Sequence, residues 1–441
     1  MRYMEIACSN KPSDNKVSFR KGITEMVFEI PEMDAMVIPS SIRICGVLRA
    51  YKSMANDGSG EDISGTKISM DARTGVYSVF NTVTCRSLRH QTTIEQSRHF
   101  NRFMSSLLPL SNGLSDVQSH LNQVALTCPN AAQMKQGVVN MSKTSGTSFA
   151  VPLQTGLLSG TASIPISSSF GIGGLQIAIQ MENDAQVFHT TDGSNLAAGD
   201  NPYYEIENPH LICEVMTPDP ATLQQLQKQG SGQLNYQSIS SYYDTIQSTN
   251  TQINFNLGLG KVRSAFVNFI DSNKLNNVVE NGLATTMPTL STGLPNDIQQ
   301  LQFLKGGSQY PALFPQNNVI RDSANTSVCD AGLVRDYLDA VIPYVQSRSN
   351  CLTTNNVKRN FSLKNGGGVF DSYVNIADTG LVYGCGVRYD ALGGSGADFR
   401  NENWGLNMTL TNSDGNVVSA FIFVNSEQTL VFNPNGVQVV Q

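Results

Sequence analysis

The side chains able to do chemistry in this 441-residue chain are few and scattered. Histidine, the usual base at neutral pH, occurs five times, as His90, His99, His120, His189 and His210. No two have the H-x-x-x-H spacing that would put both on one helix face for a metal. All five precede the middle of the chain, so a histidine serving a nucleophile in the second half would have to reach across a domain boundary. Gly393-Gly394-Ser395-Gly396-Ala397 approaches the G-x-S-x-G elbow, but Ala397 stands where a glycine is needed. Lys364-Asn365-Gly366-Gly367-Gly368 and Gly258-Leu259-Gly260-Lys261 lack the spacing of a phosphate cradle and read as turns before strands. Glu61 and Asp62 are chain neighbours, which point to opposite faces when extended and read as a solvated loop. The expectation is no catalytic, cofactor-binding or metal-binding residue.

Four further groups read as structural. Arg86, Arg89, Arg98 and Arg102 form the densest basic stretch, with Phe100 and Phe103 interleaved. Such a stretch could touch nucleic acid or an internal membrane, but it reads first as a short amphipathic helix with a solvated arginine face. The eight cysteines (Cys8, Cys45, Cys85, Cys128, Cys213, Cys329, Cys351 and Cys385) include no C-x-x-C pair. They read as buried thiols acting as small hydrophobes. The sequons at Asn140, Asn325, Asn360 and Asn407 match what a chain rich in Asn, Ser and Thr gives by chance. Trp404, the single tryptophan, opens an apolar strand face and is expected in packing.

Composition narrows the class. Lys+Arg is 29 and Asp+Glu 35, a net charge of -6, which argues against coating DNA or RNA by neutralising phosphates. Charged residues make up 15% of the chain, below the about 25% of an ordinary soluble domain. Ser, Thr, Asn and Gln supply 142 residues, so the polar surface is built from neutral hydrogen-bonding groups. Met1 to Lys11 shows no apolar stretch of a secretory signal. No apolar run approaches the ~18 residues of a membrane-crossing helix.

The elements that would position these groups are mostly strands. Period-2 alternation places Ile42, Ile44 and Leu48 on one face, and likewise Leu175, Ile177, Ile179 and Met181. Leu211, Cys213 and Val215 repeat it, as do Ile253, Phe255 and Leu257, then Leu381 to Tyr389, then Leu406, Met408 and Leu410. One apolar face per strand is the mark of antiparallel sandwiches. Asp414-Gly415 and Asn435-Gly436 read as hairpin turns. Helical spacing appears as islands. Thr92 and Glu95 form a capping-box pattern before Phe103, Met104, Leu107 and Leu108. Ser115 and Asp330 could cap two more short helices.

The stretch 218–250, rich in Gln, Ser and Tyr, reads as a linker between a strand-rich half over 1–217 and another over 251–441. Three short matches recur in order at offsets of 224 to 231 residues. Phe28-Glu29-Ile30 matches Phe255-Asn256-Leu257, Thr155-Gly156-Leu157 matches Thr379-Gly380-Leu381, and Gly174–Ile179 matches Gly405–Leu410. Their near-constant offset points to a tandem duplication.

Three segments carry a family resemblance: SFAVPLQTGLLSGTASIPISSSFGIGGLQIAIQM from Ser148, LICEVMTP from Leu211, and GCGVRYDALGGSGADFRNENWGLNMTL from Gly384. Together they resemble the double jelly-roll major capsid proteins of tailless icosahedral double-stranded DNA viruses, at the virophage and polinton-like end of that lineage. The resemblance implies an all-β fold of two tandem eight-stranded jelly rolls with short inserted helices, over 1–217 and 251–441. It implies a hexon-like homotrimer with a pseudo-hexagonal outline, neighbouring capsomers, and penton and minor or cement proteins as partners. It also implies an inner face that can touch the genome or an internal membrane. The place of action would be the virion, after synthesis and assembly in an infected host cell. No reaction and no cofactor are implied. The candidates for outer towers are the insertions at about 53–72 and 271–330, with the choice between them open. A β-sandwich carbohydrate- or receptor-binding protein, or a viral spike, is the alternative, and a sandwich hydrolase is disfavoured by the missing constellations.

Overall fold

The computed structural model describes residues 1–56, 58–70, 74–111, 146–190, 196–247, 250–272, 275–278, 298–310, 317–318, 339–341, 384–390, 396–410 and 417–441. Sixteen strand positions carry the architecture. In the first half they are β1 (Arg2–Ala7), β2 (Glu25–Ile30), β3 (Met36–Met54), β4 (Phe80–Ser87), β5 (Thr93–Ser97), β6 (Thr147–Pro152), β7 (Leu175–Met181) and β8 (Tyr203–Met216). In the second they are β9 (Gly232–Ile246), β10 (Asn250–Asn256), β11 (Val262–Asp271), β12 (Ile298–Lys305), β13 (Asn317–Asn318), β14 (Gly384–Arg388), β15 (Asn403–Leu410) and β16 (Val418–Asn433).

The pairing order is the same in both halves. The first half pairs β1-β8-β3-β6 in one antiparallel sheet and β2-β7-β4-β5 in the other. The second pairs β9-β16-β11-β14 and β10-β15-β12-β13. Written by position, each half is 1-8-3-6 over 2-7-4-5, the eight-stranded jelly roll. The fold is therefore all-β, a double jelly roll, as the alternation and the resemblance led us to expect.

The duplication matches locate the right strands in two of three cases. Phe28 and Phe255 lie on the second strand of their rolls, and Leu175–Ile179 and Gly405–Leu410 on the seventh. They are not residue-for-residue equivalents. Ile177 pairs with Phe28, whereas Met408 pairs with Thr251. Thr379-Gly380-Leu381 lies outside the described residues.

The stretch read as a linker contains regular structure. After helix α1 (Phe100–Ser111) in the first half, helix α2 (Pro220–Gln229) is followed by β9, which pairs with β16 along its whole length. Asp219 caps α2 by accepting from the Ala221 and Thr222 amides at 3.0 Å, Pro220 fills its first turn, and Gly230 closes it at φ 61°. The helix buries no residue, so capping rather than packing defines it. The hairpin near the C-terminus turns at Pro434-Asn435, with Gly436 already paired to Asn433. Asp414-Gly415 and the helices read at Ser115 and Asp330 fall outside the described residues, apart from a helical segment at 339–341.

Candidate functional site

The functional geometry in this chain is a seam, formed where the first roll lies against one face of the second. Residues alternate along the strands of the second roll's β9-β16-β11 sheet. Ala265, Val267, Ala420, Ile422 and Val424 join the core between that roll's two sheets. Phe266, Ile270, Phe421 and Phe423 point the other way and join the core of the first roll. This sheet is thus buried on both faces.

Three segments of the first roll supply the cover: β5, the loop after β6, and helix α1 (Phe100–Ser111). Phe103 of α1 packs on Phe266 and Phe423 with ring centroids 6.2 and 5.8 Å apart. His99 stands edge-on to Phe421 at 5.0 Å. The Arg102 guanidinium lies over the Phe421 ring at 5.2 Å and donates to the Gln186 amide oxygen. Asn268 donates to the Ser106 hydroxyl, Ser241 to the Arg98 carbonyl at 2.8 Å, and Tyr236 to the Ile94 carbonyl at 2.9 Å.

Glu95 is the polar centre of the seam. Its side chain is 3% exposed and accepts from the Gly156 and Leu157 amides at 2.8 and 2.7 Å and from the Ser238 hydroxyl at 3.0 Å. A carboxylate at this depth needs such donors to offset its desolvation. Gly156 approaches because it has no side chain, and a Cβ there would stand 1.7 Å from the Gln237 carbonyl oxygen. The capping-box reading of Thr92 and Glu95 is therefore corrected. Thr93–Ser97 is a strand paired with β4, and Glu95 faces the second roll. The helix starts at Phe100.

The arginine stretch is also corrected. Arg86 is in β4, and Arg89 is half exposed 3.9 Å from Glu32. Arg102 is buried in the seam, so the four share no solvated helix face. Glu61 and Asp62 lie on a short strand paired with Met54 to Tyr51, not in a loop, and Glu61 is 3.2 Å from Lys52. Ala397 exchanges backbone hydrogen bonds with Val262, so the segment read against an elbow forms an antiparallel bridge there. Ser395 lies outside the described residues, as do Lys364–Gly368. Gly258 turns the chain at φ 63° between β10 and β11. Cys8, Cys45, Cys85, Cys213 and Cys385 are free and buried. Trp404 is buried between Phe255 and Phe303 in the second roll's core and donates to the Tyr389 hydroxyl at 2.9 Å. Among the described residues no group of three or more His, Cys, Asp or Glu side chains is placed to hold a metal. No helix among them is long and apolar enough to cross a membrane.

The second roll's share of the seam shows no alternating pattern in the sequence. Ala265-Phe266-Val267 and the run Ala420 to Val424 are continuous apolar stretches, which signal a strand covered on both faces. The insertion read at 271–330 also contains β12 and β13, so the sequence between β11 and β12 is shorter than expected. The Thr190 amide, on a short strand Phe188–Thr190 that pairs with Ile68–Met70, donates to the Val278 carbonyl at 3.1 Å.

Burial and the neighbouring Arg102 and Arg98 charges push the His99 imidazole down to about 4. The unfolded chain takes up this proton near 6.5. His99 therefore contributes stability that is present above about 6.5 and lost as pH falls towards 4. Asp184 has the opposite sign: burial raises its carboxyl to about 6 against the opposing pull of Arg20. Its contribution is present at low pH and lost as pH rises through about 6. The two slopes offset in the intact protein. His99→Asn, which tolerates the φ of 51° at this position, removes one of them. Its stability relative to wild type is expected to improve by about 2 kcal/mol between pH 7 and pH 4. Urea midpoints at both pH values measure this, and a pH-independent difference would contradict it.

No family model matches the sequence, and no curated protein matches it. Solved structures do match in fold. The Sputnik virophage structure aligns over 100% of this chain and 88% of its own at TM-score 0.58 and 13% identity. The PBCV-1 virus capsid aligns over 100% and 96% at TM-score 0.57 and 11% identity. The Faustovirus major capsid protein aligns over 98% and 90% at TM-score 0.50 and 11% identity.

Proposed function

We propose that this chain is the major capsid protein of an icosahedral double-stranded DNA virus, and that three copies form a pseudo-hexagonal capsomer that tiles the shell. The observation that carries this reading is the repeat of one jelly-roll strand order twice in a chain whose fold runs the length of viral capsid chains. Two similar modules per chain give six per trimer, so one gene product can cover a near-hexagonal lattice. The low charge content limits repulsion between close-packed copies. The work done is association and geometry, with no reaction.

The same reading divides the chain into an N-terminal jelly roll over 1–217 and a C-terminal one whose first strand is β9, with α2 as the connection. It makes neighbouring capsomers, penton proteins and minor or cement proteins the partners, with the genome or an internal membrane beneath, and the virion the place of action. The carbohydrate-binding or spike alternative is not favoured by likenesses to capsid structures that span the whole chain. Negative-stain imaging of the purified protein tests the proposal. Particles with a six-lobed outline are expected, and single two-lobed particles at every concentration would refute it.

A further inference from the structure

One residue joins two of the segments with which the first roll covers the second. His99 lies between the end of β5 at Ser97 and the start of α1 at Phe100. Its backbone turns the chain at φ 51°. Its carbonyl accepts from the Phe103 amide at 3.0 Å, in the first turn of α1. The strand and the helix therefore keep their joint position on the second roll only while His99 keeps its own.

The ring contacts suit a neutral imidazole. The ring stands edge-on to Phe421 of β16 at 5.0 Å and tilted to Tyr243 of β9 at 6.2 Å. The Arg102 guanidinium already lies over the same Phe421 ring at 5.2 Å. The charges that bear on His99 come from its own segment, Arg102 in α1 and Arg98 beside it, and both are positive. From β9 the titratable group facing it is the Tyr243 hydroxyl, which sits 3.1 Å from the Ser419 hydroxyl of β16. Asp244 pairs with Ala420, whose side chain joins the second roll's core, so Asp244 lies on the other face of the sheet. His99 is half-buried next to the exposed Arg98, which leaves its ring within reach of a proton from solvent. A third cation in this corner is repelled by the other two and loses hydration it would regain outside.

We propose that His99 is an acid-operated latch on the seam: protonation of its ring releases the bend between β5 and α1 from the second roll and opens the contact between the two jelly rolls, while each roll stays folded. The bistable element is the packing of that bend on Phe421 and Tyr243, and the proton is the ligand that favours the open state. Acid does not act against the first roll in the same way. Asp184 faces Arg20 and the Tyr204 amide there, and its contribution to stability grows as pH falls through about 6.

The test is urea denaturation of the full-length chain at pH 7 and pH 4.5. It is followed both by Trp404 emission, which reports the second roll, and by circular dichroism, which reports both rolls. At pH 7 the two probes are expected to share one midpoint. The closed seam is expected to be about 60-fold less favoured at pH 4.5 than at pH 7, from protonation at about 4 when covered and about 6.5 when released. The two midpoints should then separate by at least about 0.5 M. His99→Asn keeps the turn and His99→Phe keeps a ring on Phe421, and neither can take up the proton. In both variants the separation of the midpoints is expected to be the same at the two pH values, whether or not the substitution itself loosens the seam. Coincident wild-type midpoints at pH 4.5 would overturn the proposal, as would a separation that grows with acid in both variants as it does in wild type. A separation that changes over a tenfold range of chain concentration would also overturn it, because the seam lies within one chain.

Discussion

Gly156→Ala is expected to separate the two jelly rolls. The added methyl would stand 1.7 Å from the Gln237 carbonyl oxygen and 2.6 Å from its carbon, and 2.7 Å from a Glu95 oxygen. Gln237 is part of β9, which pairs residue for residue with β16, so its backbone cannot shift alone. Relief must come from moving the loop after β6 away from the seam. That movement breaks the bonds from the Gly156 and Leu157 amides to Glu95 and leaves a buried carboxylate short of donors. Ordinary overpacking costs about 1–3 kcal/mol. Here the obstacle is backbone and a buried charge is stranded, so a loss of about 3–5 kcal/mol is expected. Urea denaturation should change from one transition to two as the rolls uncouple. Wild-type stability with a single transition would contradict the seam.

Trp404→Ala is expected to cost about as much, by a different route. Trp404 is wholly buried in the second roll's core, against Phe255 and Phe303. Removing so large a side chain costs about 3–5 kcal/mol in transfer and cavity terms. It also leaves the buried Tyr389 hydroxyl without the indole N–H that donates to it. Trp404→Phe keeps most of the volume and should lose about 1–2 kcal/mol. Denaturation followed by circular dichroism measures both, and equal losses for the two variants would show that packing contributes little. Because Trp404 is the single tryptophan, its emission in wild type reports on the second roll alone.

The sandwich fold was legible because burial on one face writes itself as alternation. Leu211, Cys213 and Val215 point inward between outward Ile212 and Glu214, and all three are wholly buried even though a bulge interrupts the pairing with β3 at Cys213. The seam was harder to read for physical reasons. A strand covered on both faces does not alternate, so Ala420 to Val424 gave no period. Glu95 fits a helix-capping pattern locally, yet pairing with β4 and burial against Ser238 decide its structure. Local propensity lost there to a tertiary contact from 143 residues away. The Gln- and Ser-rich β9 looked like a linker because its outward polar groups, among them Ser238 and Ser241, are satisfied by the first roll rather than by water. A sequence pattern records how many faces are buried, but not which distant segment buries them.

The reading as a capsid building block is tested most directly by the solution mass of the purified full-length chain, measured by gel filtration with light scattering. Three copies of 47.8 kDa give about 143 kDa. The account predicts that mass, holding without a monomer shoulder on dilution to about 1 μM. A folded, β-rich monomer of 47.8 kDa at every concentration would contradict it.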